Sequence, residues 1–191
     1  MNQKKATRLT LQATAYHEAG HAVADHMFHH RIKRVTIIPN RVENYVGCVF
    51  SKQASVRGID CDVTPRLTRN AHGRIASALA GIWAQRLFNP RTCRNLHASE
   101  DYSQAISLAE HLLTGENELQ PFLEWMYART ENLLRNNWKA VELVAEELIR
   151  HREISGKEAH AIIESAPFEP KWAKGATDRE SECRCNRKEE E

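Results

Sequence analysis

Residues 10–30 constrain this chain more than any other stretch. The run is rich in alanine (Ala13, Ala15, Ala19, Ala22, Ala24) and holds no proline. Its larger apolar residues, Tyr16, Val23 and Met27, recur at helical intervals, so it predicts one amphipathic helix. Inside it lies His17-Glu18-Ala19-Gly20-His21. Four residues make little more than one helical turn, so both imidazoles project from the same face. Two ring nitrogens placed that way can hold one Zn²⁺ at about 2.0–2.1 Å each. Glu18 follows the first of them, within reach of a water beside the metal. Such a carboxylate can take the proton as the water attacks a carbonyl polarised by the metal, and then pass it to a leaving amine. Ala19 and Gly20 are small and let a neighbouring segment or a substrate come close.

A catalytic zinc takes three protein ligands and keeps one position open. The spacing leaves the third ligand undecided among Asp101, Glu100, His97 and His111, near the start of a later helix, and His26, His29 or His30 downstream of the motif. His26 and His30 are also four apart and could pair with each other. They lie about 140° or more round the helix from His21 and so should not join the same metal. The reading makes them solvated surface histidines.

The rest of the chain predicts a mainly helical domain with one small sheet. Residues 34–39 (Arg-Val-Thr-Ile-Ile-Pro) and 45–51 (Tyr-Val-Gly-Cys-Val-Phe-Ser) read as strands joined by the polar link 40–44. Residues 52–64 read as a loop. Pro65 opens a helix with the apolar stripe Ile75, Leu79, Ile82, Trp83 and Leu87, which Asn89-Pro90 stops. A helix over 99–114 is expected to end at Gly115, and another to start at Pro121, break near Asn136-Asn137 and run to about Arg152. Ser155 and Glu158 form a capping-box pair for a last short helix to Glu164. Residues 1–170 are thus one domain, and 171–191 a polar tail that reads as disordered.

Composition excludes other classes. The 191 residues carry a formal charge of only +2, without the basic stripe or aromatic platform of a nucleic-acid binder. Five cysteines, an odd number, include Cys183-Arg184-Cys185 but no Cys-x-x-Cys, which predicts a reducing compartment rather than a disulfide framework. No signal peptide is legible, and the most apolar stretch, 75–88, is interrupted by Gln85 and Arg86. A soluble cytoplasmic protein without a membrane anchor is the expectation.

Ala13-Thr14-Ala15-Tyr16-His17-Glu18-Ala19-Gly20-His21-Ala22-Val23 resembles the zinc motif of the FtsH family of AAA+ proteases. Further stretches are similar in the same order: Val35-Thr36-Ile37-Ile38-Pro39, the Ala/Gly-rich run 75–88, Ala98-Ser99-Glu100-Asp101, and 143–155 with Glu153-Ile154-Ser155-Gly156 at its end. The resemblance covers roughly residues 10–165. It implies that Asp101 is the third zinc ligand, that Glu18 is the catalytic base, that the substrates are peptides or unfolded proteins, and that six copies can form a ring. The sequence departs from the family in lacking Gly-x-x-x-x-Gly-Lys-Ser/Thr, since its one Gly-Lys is Gly156-Lys157. An ATP-independent metalloendopeptidase, or one that borrows a separate unfoldase, is therefore expected. The alternative is a zinc-binding interaction or regulatory module of the same fold that no longer cleaves. A strand at 46–50 or 35–38 could hold a substrate by pairing with it.

Overall fold

The computed structural model describes residues 2–40, 42–43, 45–52, 64–92 and 100–168, with only the backbone course for 2–9. The long helix predicted around the motif is α1, Asn2–Met27. It closes in a Schellman turn: His29 takes a positive φ of 60°. Its N–H donates to the His26 carbonyl, and that of His30 to the Asp25 carbonyl, at 3.0 and 2.8 Å.

Strand β1, Arg31–Thr36, follows at once. It starts and ends three residues earlier than the sequence reading placed it. A bulge between Ile32 and Arg34 puts two charged residues in succession on the exposed side, which hides the alternation that marks a strand. β2, Cys48–Lys52, pairs antiparallel with β1, Val35 facing Val49. The Asn40 side chain accepts from the N–H groups of Val42 and Glu43 in the turn between them.

Thr64 caps α2, Pro65–Phe88, through the Leu67 N–H, with Pro65 in the first turn and Asn89 at the far cap. A short 3-10 turn occupies Pro90–Thr92. Helix α3 spans Glu100–Glu110, so it stops before the expected end. His111 and Leu112 turn off it, with the Leu112 N–H on the Ala109 carbonyl. Gly115 is no terminator: it caps the start of α4, Glu116–Asn136, and Pro121 lies inside that helix instead of opening it. Pro121 forgoes one backbone bond near the helix start, where the acidic residues Glu116 and Glu118 favour the positive end of the dipole. The expected break falls at Asn137, and α5 spans Trp138–His151.

Arg152, in the left-handed region, turns the chain into β3, Glu153–Ser155, a strand the sequence reading did not separate from its helices. β3 pairs antiparallel with β1, giving the sheet order β2-β1-β3. Residues 35 and 36 are therefore paired on both sides and cannot offer a free edge; among the described residues, β2 and β3 are the outer strands. Ser155 caps α6, Gly156–Ser165, with Glu158 completing the capping box as read.

The architecture is thus mainly α with a small antiparallel sheet, as expected. One buried cluster joins α1, the sheet, α5 and α6 through residues such as Val23, Val35, Val141, Leu148 and Ile154. A second joins α2, α3 and α4 through Ile75, Leu79, Ala105 and Met126. Helices α1 and α2 meet in close contact at Gly20, where a Cβ would stand 2.5 Å from both the Ala80 carbonyl oxygen and the Ala84 methyl. Among the described residues, no helix is long and apolar enough to cross a membrane. His97, Cys183, Cys185 and the tail fall outside them.

Candidate metal centre

The α1–α2 contact and the packing of α3 on α2 bring three of the sequence candidates together. His17 Nε2 lies 3.0 Å from Asp101 Oδ2, His21 Nε2 lies 3.0 Å from His17 Nε2, and His21 Nε2 lies 3.6 Å from Asp101 Oδ2. Among the described residues, this is the group of three donors compact enough to hold a metal ion.

The hydrogen bonds behind the rings fix which nitrogen faces the triangle. Ser77 O can only accept, so His21 Nδ1, at 2.7 Å, carries the proton. Gln85 Nε2 donates to the Thr92 carbonyl, which turns Gln85 Oε1 toward His17 Nδ1 at 3.2 Å. His17 therefore also donates through Nδ1. In the neutral rings both Nε2 atoms bear lone pairs, and they converge on a carboxylate oxygen. Three acceptors this close repel one another unless a proton or a cation lies among them. Tetrahedral zinc with bonds of about 2.05 Å would set its ligand atoms about 3.3 Å apart, and the three edges, 3.0, 3.0 and 3.6 Å, bracket that value. The donor set fits such an ion.

Charges point the same way. Burial works against an ionised Asp101, but His21 and His17 hold its carboxyl well below the usual carboxylate range. Burial also works against a charged His21, yet Asp101, Glu18 and the Ser77 carbonyl raise its pKa to about 9. Without a metal, a proton on His21 fills the role of the cation.

Glu18 is 5% exposed. Burial pushes its carboxyl up, Asp101 adds to this, and His21 and His17 oppose it. Two glycines leave room for the functional groups. A Cβ on Gly47 would stand 2.6 Å from Glu18 Oε1, and one on Gly81 would collide with the His21 ring. His17, Glu18, His21 and Asp101 all line a cleft of about 830 Å³, bordered by β2 on one side and by Glu100, Ser103 and Gln104 of α3 on another.

The other candidates lie elsewhere. Glu100 borders the cleft outside the donor triangle. His111 is exposed and turned to the Ser107 carbonyl. His26 and His30 are not free surface histidines, nor paired with each other. His26 Nδ1 contacts His160 Nδ1 at 2.7 Å. His30, 3% exposed, bonds to Asp25 Oδ1 at 2.8 Å, because the Schellman turn folds it back under the helix. The sequence reading missed Ser77, Gln85 and Gly81, which carry no local signal, and Asp25, which does: it continues the four-residue series His17, His21.

No protein-family model matches the chain. Two relatives do. The chain is 25% identical over 195 aligned positions to an ATP-dependent zinc metalloprotease FtsH of Thermus thermophilus, across 82% of this chain and 29% of that protein. The similarity is to FtsH. It is also 26% identical over 212 aligned positions to the ATP-dependent zinc metalloprotease FtsH 3 of Symbiobacterium thermophilum, across 87% of this chain and 33% of that protein. The chain thus spans about a third of the length of the FtsH proteins it matches, and the FtsH-related region includes most of it.

Proposed function

We propose that this chain is a zinc-dependent metalloendopeptidase, with residues 1–170 as its catalytic domain. His17, His21 and Asp101 would hold the ion and Glu18 would act as the base. The observation that carries the reading is the convergence of two lone-pair nitrogens, with tautomers set by Ser77 and Gln85, on the Asp101 carboxylate at the floor of an open cleft. A closed structural site would use a fourth protein ligand, whereas three ligands on a cleft leave a position for water and substrate.

Zinc, when bound, supplies a Lewis acid that polarises a carbonyl and makes a water more acidic. The chain's own residues supply the rest. Glu18 stands beside His17, held in place by the space over Gly47, and its raised pKa makes it a better acceptor for the proton of the attacking water. Having taken that proton, Glu18 is placed to return it to the departing amine nitrogen. Ser77 and Gln85 keep the two imidazoles turned to the centre throughout. The names of the two relatives, zinc metalloproteases, agree with this chemistry. Unfolded proteins or peptides are the proposed substrates.

Metal analysis and casein hydrolysis on wild type, Glu18→Gln and Asp101→Ala test the reading. The expected result is close to one zinc per chain in the wild type and cleavage that a chelator abolishes. Glu18→Gln should keep its zinc and lose hydrolysis, while Asp101→Ala should bind zinc weakly. Wild-type protein that takes up no zinc on reconstitution would overturn the proposal; zinc without cleavage of any unfolded substrate would leave a binding module.

A further inference from the structure

Asp25 sits one helical turn past His21 on the same face of α1, and it is 1% exposed. A carboxylate so deeply buried needs several donors to be tolerated. Two donate to it at close range and a third polar side chain acts on it, each from a different part of the chain. His30 Nδ1 donates to Oδ1 at 2.8 Å, just ahead of β1. The Ser77 hydroxyl of α2 donates to the same oxygen at 2.7 Å. The Ser51 side chain of β2 lines the same cleft as Asp25 and helps to hold its carboxyl pKa down.

Two of these groups stand at the candidate centre. Ser77 is the residue whose carbonyl accepts His21 Nδ1–H. Ser51 lies on β2, an outer strand of the sheet among the described residues, and lines the cleft together with Asp25 and Ser77. Helix α2 could carry a serine or an alanine at position 77 with little difference to its own backbone. What the hydroxyl adds is a tie between the carbonyl that orients His21 and a fixed point one turn further along the helix carrying the two histidines.

We propose that Asp25 is a positioning residue for this centre: through Ser77 it holds the orientation of His21, and through Ser51 it seats the edge strand β2 along the cleft. The inference rests on the zinc reading above and assigns Asp25 no contact with metal or substrate. The role separates into two arms that single substitutions can address. Ser77→Ala releases the His21 arm and Ser51→Ala the β2 arm, each without leaving a buried charge unpaired.

Zinc affinity is read by competition with a chelating dye. Peptide affinity is read by fluorescence anisotropy of a labelled casein peptide, with every variant built on Glu18→Gln so that nothing is cut. Ser77→Ala should lower zinc affinity about 10- to 100-fold, the usual effect of losing a group that orients a metal-bound histidine, at a melting temperature close to that of its parent. Ser51→Ala should keep the parent's zinc affinity and bind the peptide several-fold more weakly. Asp25→Asn, which keeps the shape and removes the charge, should show both losses. If Asp25→Asn and Ser77→Ala lose stability but bind zinc as the parent does, the His21 arm is overturned and Asp25 is a structural clamp. Unchanged peptide binding in Ser51→Ala overturns the β2 arm. A parent that binds no zinc would remove the zinc reading itself, a result distinct from either.

Discussion

Glu18 and His21 can take their positions only because two residues far from them in sequence have no side chain. Gly47 comes from the turn before β2, and its missing Cβ is the space the Glu18 carboxyl occupies. Gly47→Ala should therefore push that carboxyl aside while leaving the three donors in place. The expected outcome is full zinc content with kcat lowered about 100-fold, since displacements near 1 Å cost that much in a positioned catalytic group; unchanged kcat would remove Glu18 from its assigned position. His21 gives a prediction in pH. Its pKa rises from 6.5 in the unfolded chain to about 9 in the folded one. The pairing with Asp101 then stabilises the metal-free protein fully below about 6.5, and that stability drains away as the pH rises through about 9. Urea midpoints of chelated protein should fall across this window. Zinc needs the neutral ring, so the loaded protein should lose most of the dependence. Equal slopes with and without zinc would count against His21 as a ligand.

The elements differ in how much of their boundary chemistry is local. Helix α6 is bounded by a capping box written within four residues, Ser155 to Glu158, and it was readable in the sequence for that reason. Ser155→Ala should lower stability by about 1 kcal/mol, the typical cost of losing an N-cap, measured as a urea midpoint; no change would mean that packing of Ala159 and Ile163 carries the helix alone. The helix start at Pro65 and the break at Asn137 were also legible from local residue chemistry. Those that failed were decided from outside. Gly115 and Pro121 are both stop-or-start residues by their backbone, and which one opened α4 depended on how Leu123, Met126 and Leu134 met the two clusters. β3 is three residues long, too short for any periodicity, and exists because β1 has an open side for it.

At the scale of the whole molecule, the α1–α2 contact sets the centre. The two histidines stand on α1, while the groups that orient them, Ser77 and Gln85, stand on α2. Gly20 holds these helices at touching distance. Gly20→Val should therefore cost about 1–3 kcal/mol by overpacking and weaken zinc binding in the same variant. Calorimetry and dye competition on one preparation would check the pair. Loss of stability with normal zinc affinity would show that the helix spacing and the donor geometry are independent. The cleft depends on the same frame, since β2 reaches it from the sheet and α3 from the other core cluster.

By itself the sequence determined the motif helix, the common face of His17 and His21, the place of Glu18 beside them and the mainly helical class. All of these follow from spacings within a few residues, where helical geometry leaves no freedom. The resemblance already pointed to Asp101, but only the tertiary structure set it against both histidines by distance, ahead of Glu100 and His111, placed Ser77 and Gln85 behind the rings, moved His30 from the surface into a buried pair with Asp25, and left β2 rather than β1 as an outer strand along the cleft. Apart from His30 and Asp25, five positions apart, these outcomes join residues far apart in sequence, brought together by core packing and sheet order, and no local spacing encodes them.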